Sequence, residues 1–244
     1  MSFAWLRSLP RPRASTAAVV GATLALAAGC ADGSSGALEQ SEVAVDCRPG
    51  DVACDDLGLD RAIAVGASIV LDVGVRSPGA ATPPLVLRST DDAVLAVDGA
   101  RVTATGPGLT ALLFLAEGSG DVVDFVHVYA DPADALALAV RDDDGGDARP
   151  VEGPIQLLIG DELVLGAQPL ANGVVLGGEP DAAWVVRETP AVPPDDGEES
   201  AAVVTLLETG FSGERRLVAR GPGVADVAVE ALGLGASVAI EVLP

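Results

Sequence analysis

Four carboxylates stand within six residues at Asp142-Asp143-Asp144-Gly145-Gly146-Asp147. Clustered acids on a glycine-rich loop can wrap a hard cation, and Asp142, Asp144 and Asp147 are the candidate ligands for Ca²⁺. The run lacks the alternating spacing and distal Glu of a helix-loop-helix calcium loop, so a solvated acidic turn is the plainer reading. His127 is the sole histidine. It could act as a base or as half of a metal site, but one histidine cannot build a multi-histidine centre. Cys47 and Cys54 flank a Pro49-Gly50 turn, among four aspartates that disfavour a reactive thiolate. Gly106-Pro107-Gly108-Leu109-Thr110-Ala111 has the spacing of a dinucleotide fingerprint. An alternating strand follows it, where pyrophosphate would need the N-terminus of a helix, so it reads as a turn. No Gly-x-Ser-x-Gly elbow occurs, and Asp and Ser are too numerous to single out a triad.

Composition removes further chemistry. All 14 basic residues of the 244 are Arg, against 36 acidic ones, for a formal charge of -22. Without lysine there is neither a phosphate-loop lysine nor a Schiff base, so nucleotide chemistry of that kind is excluded. A nucleic-acid partner is excluded by charge, since binding must neutralise phosphates and release their counterions. No cofactor is expected beyond the calcium alternative.

The N-terminus places the protein. Arg7, Arg11 and Arg13 precede the apolar run Ala17 to Ala28, with no acid before Asp32. The run is too short to cross about 30 Å of hydrocarbon as a helix, and reads as an export signal. It ends in Leu26-Ala27-Ala28-Gly29-Cys30, which resembles the lipobox of bacterial lipoproteins, with Ala27 in the slot more often held by Leu. The resemblance implies cleavage before Cys30, a diacylglyceryl thioether on its sulfur and an amide-linked acyl chain. At ~0.8 kcal/mol per buried methylene, two or three chains anchor durably. Cleavage removes three Arg and no acid, so the formal charge falls from -22 to about -25. Residues 31–42 carry too little apolar surface to fold and read as a tether. Ala31 in place of Asp implies outer-membrane sorting by the enterobacterial rule.

The elements that must position all this come from an internal repeat. Ala104-Thr105-Gly106-Pro107-Gly108 and its following strand recur at Ala219-Arg220-Gly221-Pro222-Gly223. Val65-Gly66 corresponds to Ile159-Gly160, and Leu85 to Thr90 is set against Trp184 to Thr189. Each copy is a series of short β-branched runs separated by Gly, Pro and Asp, which predicts antiparallel β-sandwiches. Positions apolar in both copies are the core candidates. Leu112 and Phe114 match Val227 and Val229 and are expected to face inward. Val123, Phe125 and His127 are set against Val238, Ile240 and Val242, making His127 a partly buried structural residue. Trp184, the sole Trp after the signal segment, is expected to anchor the second core.

The Val65-Gly66 and Ile159-Gly160 turns, the run Arg88 to Gly99 and the Gly-Pro-Gly before an alternating strand resemble the group-two bacterial immunoglobulin-like domains related to invasin and intimin. The resemblance implies a non-catalytic spacer, stalk or interaction module. The expected organisation is a signal peptide (1–29), the lipidated Cys30 and tether (30–42), and two all-β immunoglobulin-like domains (43–130 and 134–244), the second carrying an acidic insertion near 190–200. The expected function is that of a lipid-anchored protein of the cell envelope, in the outer membrane, acting as a structural or interaction module toward an envelope or surface protein. The alternatives are a calcium-dependent adhesion or binding protein and, further off, an enzyme of unrecognised type.

With Cys30 consumed by lipid, Cys47 and Cys54 form an even pair in an oxidising compartment, and a local disulfide is expected. On the chain-entropy model so short a ring contributes about 2.5 kcal/mol. Free-thiol labelling under denaturing, non-reducing conditions is expected to find neither cysteine. Stoichiometric labelling of both would leave the stretch an unconstrained loop.

Overall fold

The computed structural model describes residues 42–47, 59–76, 84–141, 148–191 and 202–244. All of them lie in one compact unit, Gly33–Pro244. The described residues contain strands and turns and no helix. The reason is local: Gly, Pro and Asp interrupt every apolar run before a helix could pay back its nucleation cost, and the runs are rich in Val and Leu.

The first copy contributes β1 (Glu42–Cys47), β2 (Ile63–Ala64), β3 (Ser68–Arg76), β4 (Leu85–Ser89), β5 (Leu95–Asp98), β6 (Arg101–Ala104), β7 (Gly108–Ala116) and β8 (Val122–Asp131). They form two four-stranded sheets, β1-β3-β6-β5 and β2-β8-β7-β4. The second copy contributes β9 (Ala135–Arg141), β10 (Arg149–Pro150), β11 (Ile155–Leu158), β12 (Glu162–Ala171), β13 (Val174–Val175), β14 (Ala182–Pro190), β15 (Val204–Glu208), β16 (Glu214–Ala219), β17 (Gly223–Ala231) and β18 (Leu234–Leu243). Its sheets run β10-β9-β12-β16-β15, with β13 added to β12, and β11-β18-β17-β14. Each copy is therefore an immunoglobulin-like sandwich. In both, a short strand pairs in parallel with the last strand, β2 on β8 and β11 on β18, while the other ladders are antiparallel.

Register shows which residues of the copies correspond. Gly108 is opposite Ala130, and Gly223 is opposite Val242. Leu112, Phe114, Val128 and Ala130 are buried in one core, and Val227, Val229, Ile240 and Val242 in the other. The inward assignment of Leu112, Phe114, Val227 and Val229 holds. On β8 it holds for Val123 but not for Phe125 or His127. Val128 corresponds to Ile240 and Ala130 to Val242, so aligning His127 with Val242 was an odd shift of three residues, which turns a strand over. Phe125 is 49% exposed and His127 is exposed. The β7–β8 ladder also breaks its register after Phe114, where Asp124 is opposite Phe114 and Val122 opposite Leu115. Val123, the extra residue, is buried beside the buried Asp124, so the alternation is lost there.

On β14, Val186 lies opposite Val227 as Ser89 lies opposite Leu112. Trp184 thus corresponds to Leu87 and not to Leu85, a shift of two that keeps the same face. Trp184 is partly buried against the second core, and its indole Nε1–H donates to the carbonyl of Ser212 at 3.1 Å. The largest single share of the extra length of the second copy falls between β14 and β15.

The paired Gly-Pro-Gly turns have two separate reasons for their glycines. Gly108 and Gly223 have φ of 146° and 153°, which other residues take rarely. At Gly106 the constraint is space, because a Cβ would lie 2.5 Å from the carbonyl oxygen of Ala93, whereas at Gly221 the nearest atom, Ala202 O, is 3.3 Å away. Gly106→Ala is expected to destabilise the full chain by about 1–3 kcal/mol in chemical denaturation, as overpacking against fixed backbone does, and Gly221→Ala by distinctly less. Equal losses at both positions would show that close approach to Ala93 does not set the turn.

Candidate functional site at the sandwich junction

The described residues whose arrangement goes furthest beyond a single sandwich lie between Leu170 and Pro180. β12 is joined to β13 by Asn172-Gly173, with φ of 51° and 77°, the two-residue hairpin turn that Asn-Gly favours. Asp134, just after β8, binds this hairpin twice. Its side-chain Oδ2 accepts from the N–H of Asn172 and its own N–H donates to Leu170 O, both at 2.8 Å. The connection Asp131 to Asp134 is thereby clamped onto the second sandwich.

Beyond β13 the chain leaves β12 and runs along the first sandwich. The N–H of Gly177 donates to Ala62 O at 2.8 Å and the N–H of Ala64 donates to Gly177 O at 2.9 Å. Ser68 and Glu179 then exchange backbone bonds, Ser68 N–H to Glu179 O at 3.0 Å and Glu179 N–H to Ser68 O at 2.7 Å. Leu176, 5% exposed, belongs to the core of the first sandwich although it lies in the second copy. Between these bonds sits Gly178, with φ of 91°, where a Cβ would come within 2.9 Å of Ile63 Cγ2 and 3.0 Å of Ala67 Cβ. Both its backbone and its lack of a side chain are required.

A second contact comes from the β17–β18 hairpin, whose turn residues are Leu232 and Gly233 with φ of 56° and 76°. A leucine in this left-handed conformation costs about 1–2 kcal/mol. Its side chain packs against both cores and reaches Gly66, where a Cβ would meet Leu232 Cδ2 at 2.9 Å. Burying a leucine side chain contributes about 1.5–3 kcal/mol when complete, which offsets the strain. At the corresponding turn of the second copy, Gly160 has the same conformation (φ 94°) and nothing within 4 Å of a Cβ.

Beside the junction lies a cleft of about 520 Å³, floored by Ala137, Ala139 and Gly166 and edged by Phe211, Arg141 and Glu179. Three of the charged side chains that line it, Arg141, Glu179 and Glu214, are engaged. The Glu179 carboxylate accepts from the backbone N–H and hydroxyl of Ser212 and from the Gly213 N–H, holding the turn before β16. Arg215 Nη1 donates to the carbonyls of Phe211, Ser212 and Glu214. Arg141 Nη1 donates to Glu214 Oε1 at 3.1 Å, while Arg141 Nε is buried without a partner. Acids and arginines here fasten loops to strands, which is the chemistry of a joint.

Of the candidate residues read from sequence, Cys30, Cys54, Asp142, Asp144 and Asp147 lie outside the described residues, as does most of the acidic insertion. Cys47 closes β1, with its backbone opposite Leu71. Arg141 and Ala148, the residues flanking the acidic loop, both line the cleft. Among the described residues no three His, Cys, Asp or Glu are grouped to hold a metal. His127 stands on the solvent face of β8, its ring edge-to-face with Phe125 at 5.4 Å between centroids. The junction residues Leu176, Gly178 and Leu232 were not singled out from sequence. The one usable signal was Asn172-Gly173, which marks a hairpin but not its neighbour.

Gly178→Ala is expected to loosen the junction without unfolding either core. The amides of Ala64, Ser68, Gly177 and Glu179 should lose hydrogen-exchange protection by at least roughly tenfold, the equivalent of about 1.4 kcal/mol of local opening. Unchanged protection at these four amides would show that the close approach of Gly178 does not hold the sandwiches together.

No family model matches the sequence, and no curated protein matches it. Among solved structures, the chain is similar to domains 4 and 5 of the S-layer protein SbsC, with 12% identity and a TM-score of 0.29 over 84% of this chain and 100% of that one. It is similar to the Yersinia pseudotuberculosis adhesin InvE at 13% identity and a TM-score of 0.29, over 84% of this chain and 59% of that one. It is similar to invasin, a bacterial integrin-binding protein, at 14% identity and a TM-score of 0.28, over 82% of this chain and 40% of that one. The chain thus spans all of the S-layer fragment and less than two thirds of the adhesin and invasin structures.

Proposed function

We propose that this is a lipid-anchored protein of the cell envelope whose two immunoglobulin-like domains, 43–130 and 134–244, serve as a non-enzymatic structural or interaction module. The observation that carries the reading is the junction. Four backbone hydrogen bonds, Leu176 inserted into the first core and Leu232 shared by both cores make the two sandwiches one continuous unit. At about 0.5–1.5 kcal/mol net per hydrogen bond plus the apolar burial, such a joint resists bending by thermal motion. That property suits a spacer or a presenting scaffold and contributes nothing to a reaction.

The lipobox ending at Cys30 and the tether that follows support attachment to the outer membrane, with the sandwiches held off the lipid surface. A formal charge near -25 keeps the module soluble and away from anionic headgroups. The partner on this reading is an envelope or surface protein. A disulfide between Cys47 and Cys54 would brace the segment where the tether enters the first domain.

Cys30→Ser is expected to abolish membrane association while leaving the melting behaviour of the sandwiches unchanged, because the anchor lies outside both cores. Fractionation with carbonate washing measures it. A variant that stays wholly in the membrane pellet would overturn lipid anchoring through Cys30.

A further inference from the structure

The two copies build the same core and differ on one outer face. On the sheet β2-β8-β7-β4 of the first sandwich, the strands present cross-strand rows to solvent: Val86, Leu115 and Val122; Arg88, Leu113 and Phe125; Ala111 and His127; Leu109 and Tyr129. Val86 (46%), Leu109 (50%), Val122 (49%), Phe125 (49%) and Tyr129 (53%) are exposed. The chain's one Tyr and one His and one of its four Phe are therefore spent on a single solvent-facing strand.

The second sandwich supplies the internal control. Its corresponding rows on β14, β17 and β18 are Ala183, Glu230 and Gly235; Val185, Ala228 and Ser237; Arg187, Asp226 and Ala239; Thr189, Val224 and Glu241. Phe125, His127 and Tyr129 are replaced there by Ser237, Ala239 and Glu241, and the central strand carries Asp226 and Glu230 in place of Ala111 and Leu115. A sandwich with these strand pairings accordingly stands with an outer face that has no aromatic residue and mixes the exposed Val185 and Val224 with Arg187, Asp226, Glu230 and Glu241. Packing does not explain the large apolar residues of the first copy, and a contiguous exposed apolar patch of roughly 300–600 Å² is often a functional surface.

We propose that this face of the first sandwich docks a protein whose own apolar patch is flanked by Lys or Arg. The proposal rests on the interaction-module reading above and identifies where that module binds. The occupant follows from charge. The ten face residues include no carboxylate, in a chain with 36 acids, and the rim at both strand ends is acidic: Glu117 and Asp121 at the β7–β8 hairpin, Asp92 and Asp131 at the other end, all exposed. A surface matched to it is apolar in the centre and basic at the ends. A second copy of this chain would set acidic rim against acidic rim. A glycan would need rings lying flat along β8, and the planes of Phe125 and His127 meet at 84°. With strands ~4.8 Å apart and ~6.7 Å between successive rows, the face covers about 300–400 Å², so it forms the apolar centre of an interface whose polar rim extends beyond it.

The test uses the full chain in the cells that make it, with the photo-crosslinking residue p-benzoylphenylalanine placed at Phe125 or Tyr129 and, as controls, at Ser237 or Glu241. The expected result is a protein adduct from positions 125 and 129 and not from 237 and 241. Its crosslinked peptide should carry Lys or Arg beside apolar residues. Glu117→Lys with Asp121→Lys should cut the yield by roughly tenfold or more, whereas Glu230→Lys should leave it unchanged. Thermal melting of each variant verifies that the fold persists. The proposal is overturned by an adduct of twice the chain mass, by a sugar adduct, by equal adducts at all four positions, by indifference to the rim reversals, or by no adduct. Fractionation of the same cells reports anchoring separately, so the docking face can fail while the envelope reading stands, and the reverse.

Discussion

Backbone hydrogen bonds between Ala62, Ala64 and Ser68 of one sandwich and Gly177 and Glu179 of the other are the constraint on which the rest of the molecule depends. They bring two chain segments to sheet-like spacing at a point where a side chain would collide with Ile63 and Ala67, so only Gly178 serves between them. Leu176 follows this backbone into the first core, and the Asp134 clamp keeps the connection short. The strained Leu232 makes sense only within this joint, because its left-handed backbone is held by contact with both cores. Removing one element would leave the others with an unmet cost: an unpaired amide, a strained turn or an exposed leucine.

The duplicated construction shows how small changes convert one kind of surface into another. Gly66 and Gly160 turn the chain alike, and their N–H groups donate to Ala104 O and Ala219 O at 2.8 and 2.9 Å. At the first turn, the N–H of Ala64 is satisfied by the next sandwich. At the second, the N–H of Leu158 is satisfied by the Oδ2 of Asp161 at 2.8 Å, and Asp161 stands where the first copy has the buried Ala67. An alanine leaves room for a neighbouring backbone, and an aspartate closes the same edge with its own side chain. The outer faces diverge as well, apolar and aromatic on β8 but small, with the single acid Glu241, on β18, while the strand pairings around the two cores correspond.

How much of this was legible in advance depended on whether the information was carried by side chains. The Gly-Pro-Gly turns, the repeat and the inward direction of Leu112, Phe114, Val227 and Val229 could be read because each is local and is expressed in residue type. The β8 phase could not. Phe125, Val126 and Val128 make the strand apolar on both faces, so alternation favours neither, and the bulge at Val123 removes one residue from the count. Aligning the copies by apolar positions then compounded the error, since the aromatic residues of β8 belong to its outer face.

The sequence by itself determined the all-β class, the duplication, the turn positions and the acidic charge, because composition, periodicity and glycine placement act on neighbouring residues whatever the rest of the chain does. Tertiary structure alone decided that Leu176 joins the other copy's core, that Gly178 must be bare and that His127 faces solvent. These depend on which backbone lies beside which, and a backbone amide or carbonyl is the same group in nearly every residue, so long-range pairing leaves little trace in the residue types that take part in it.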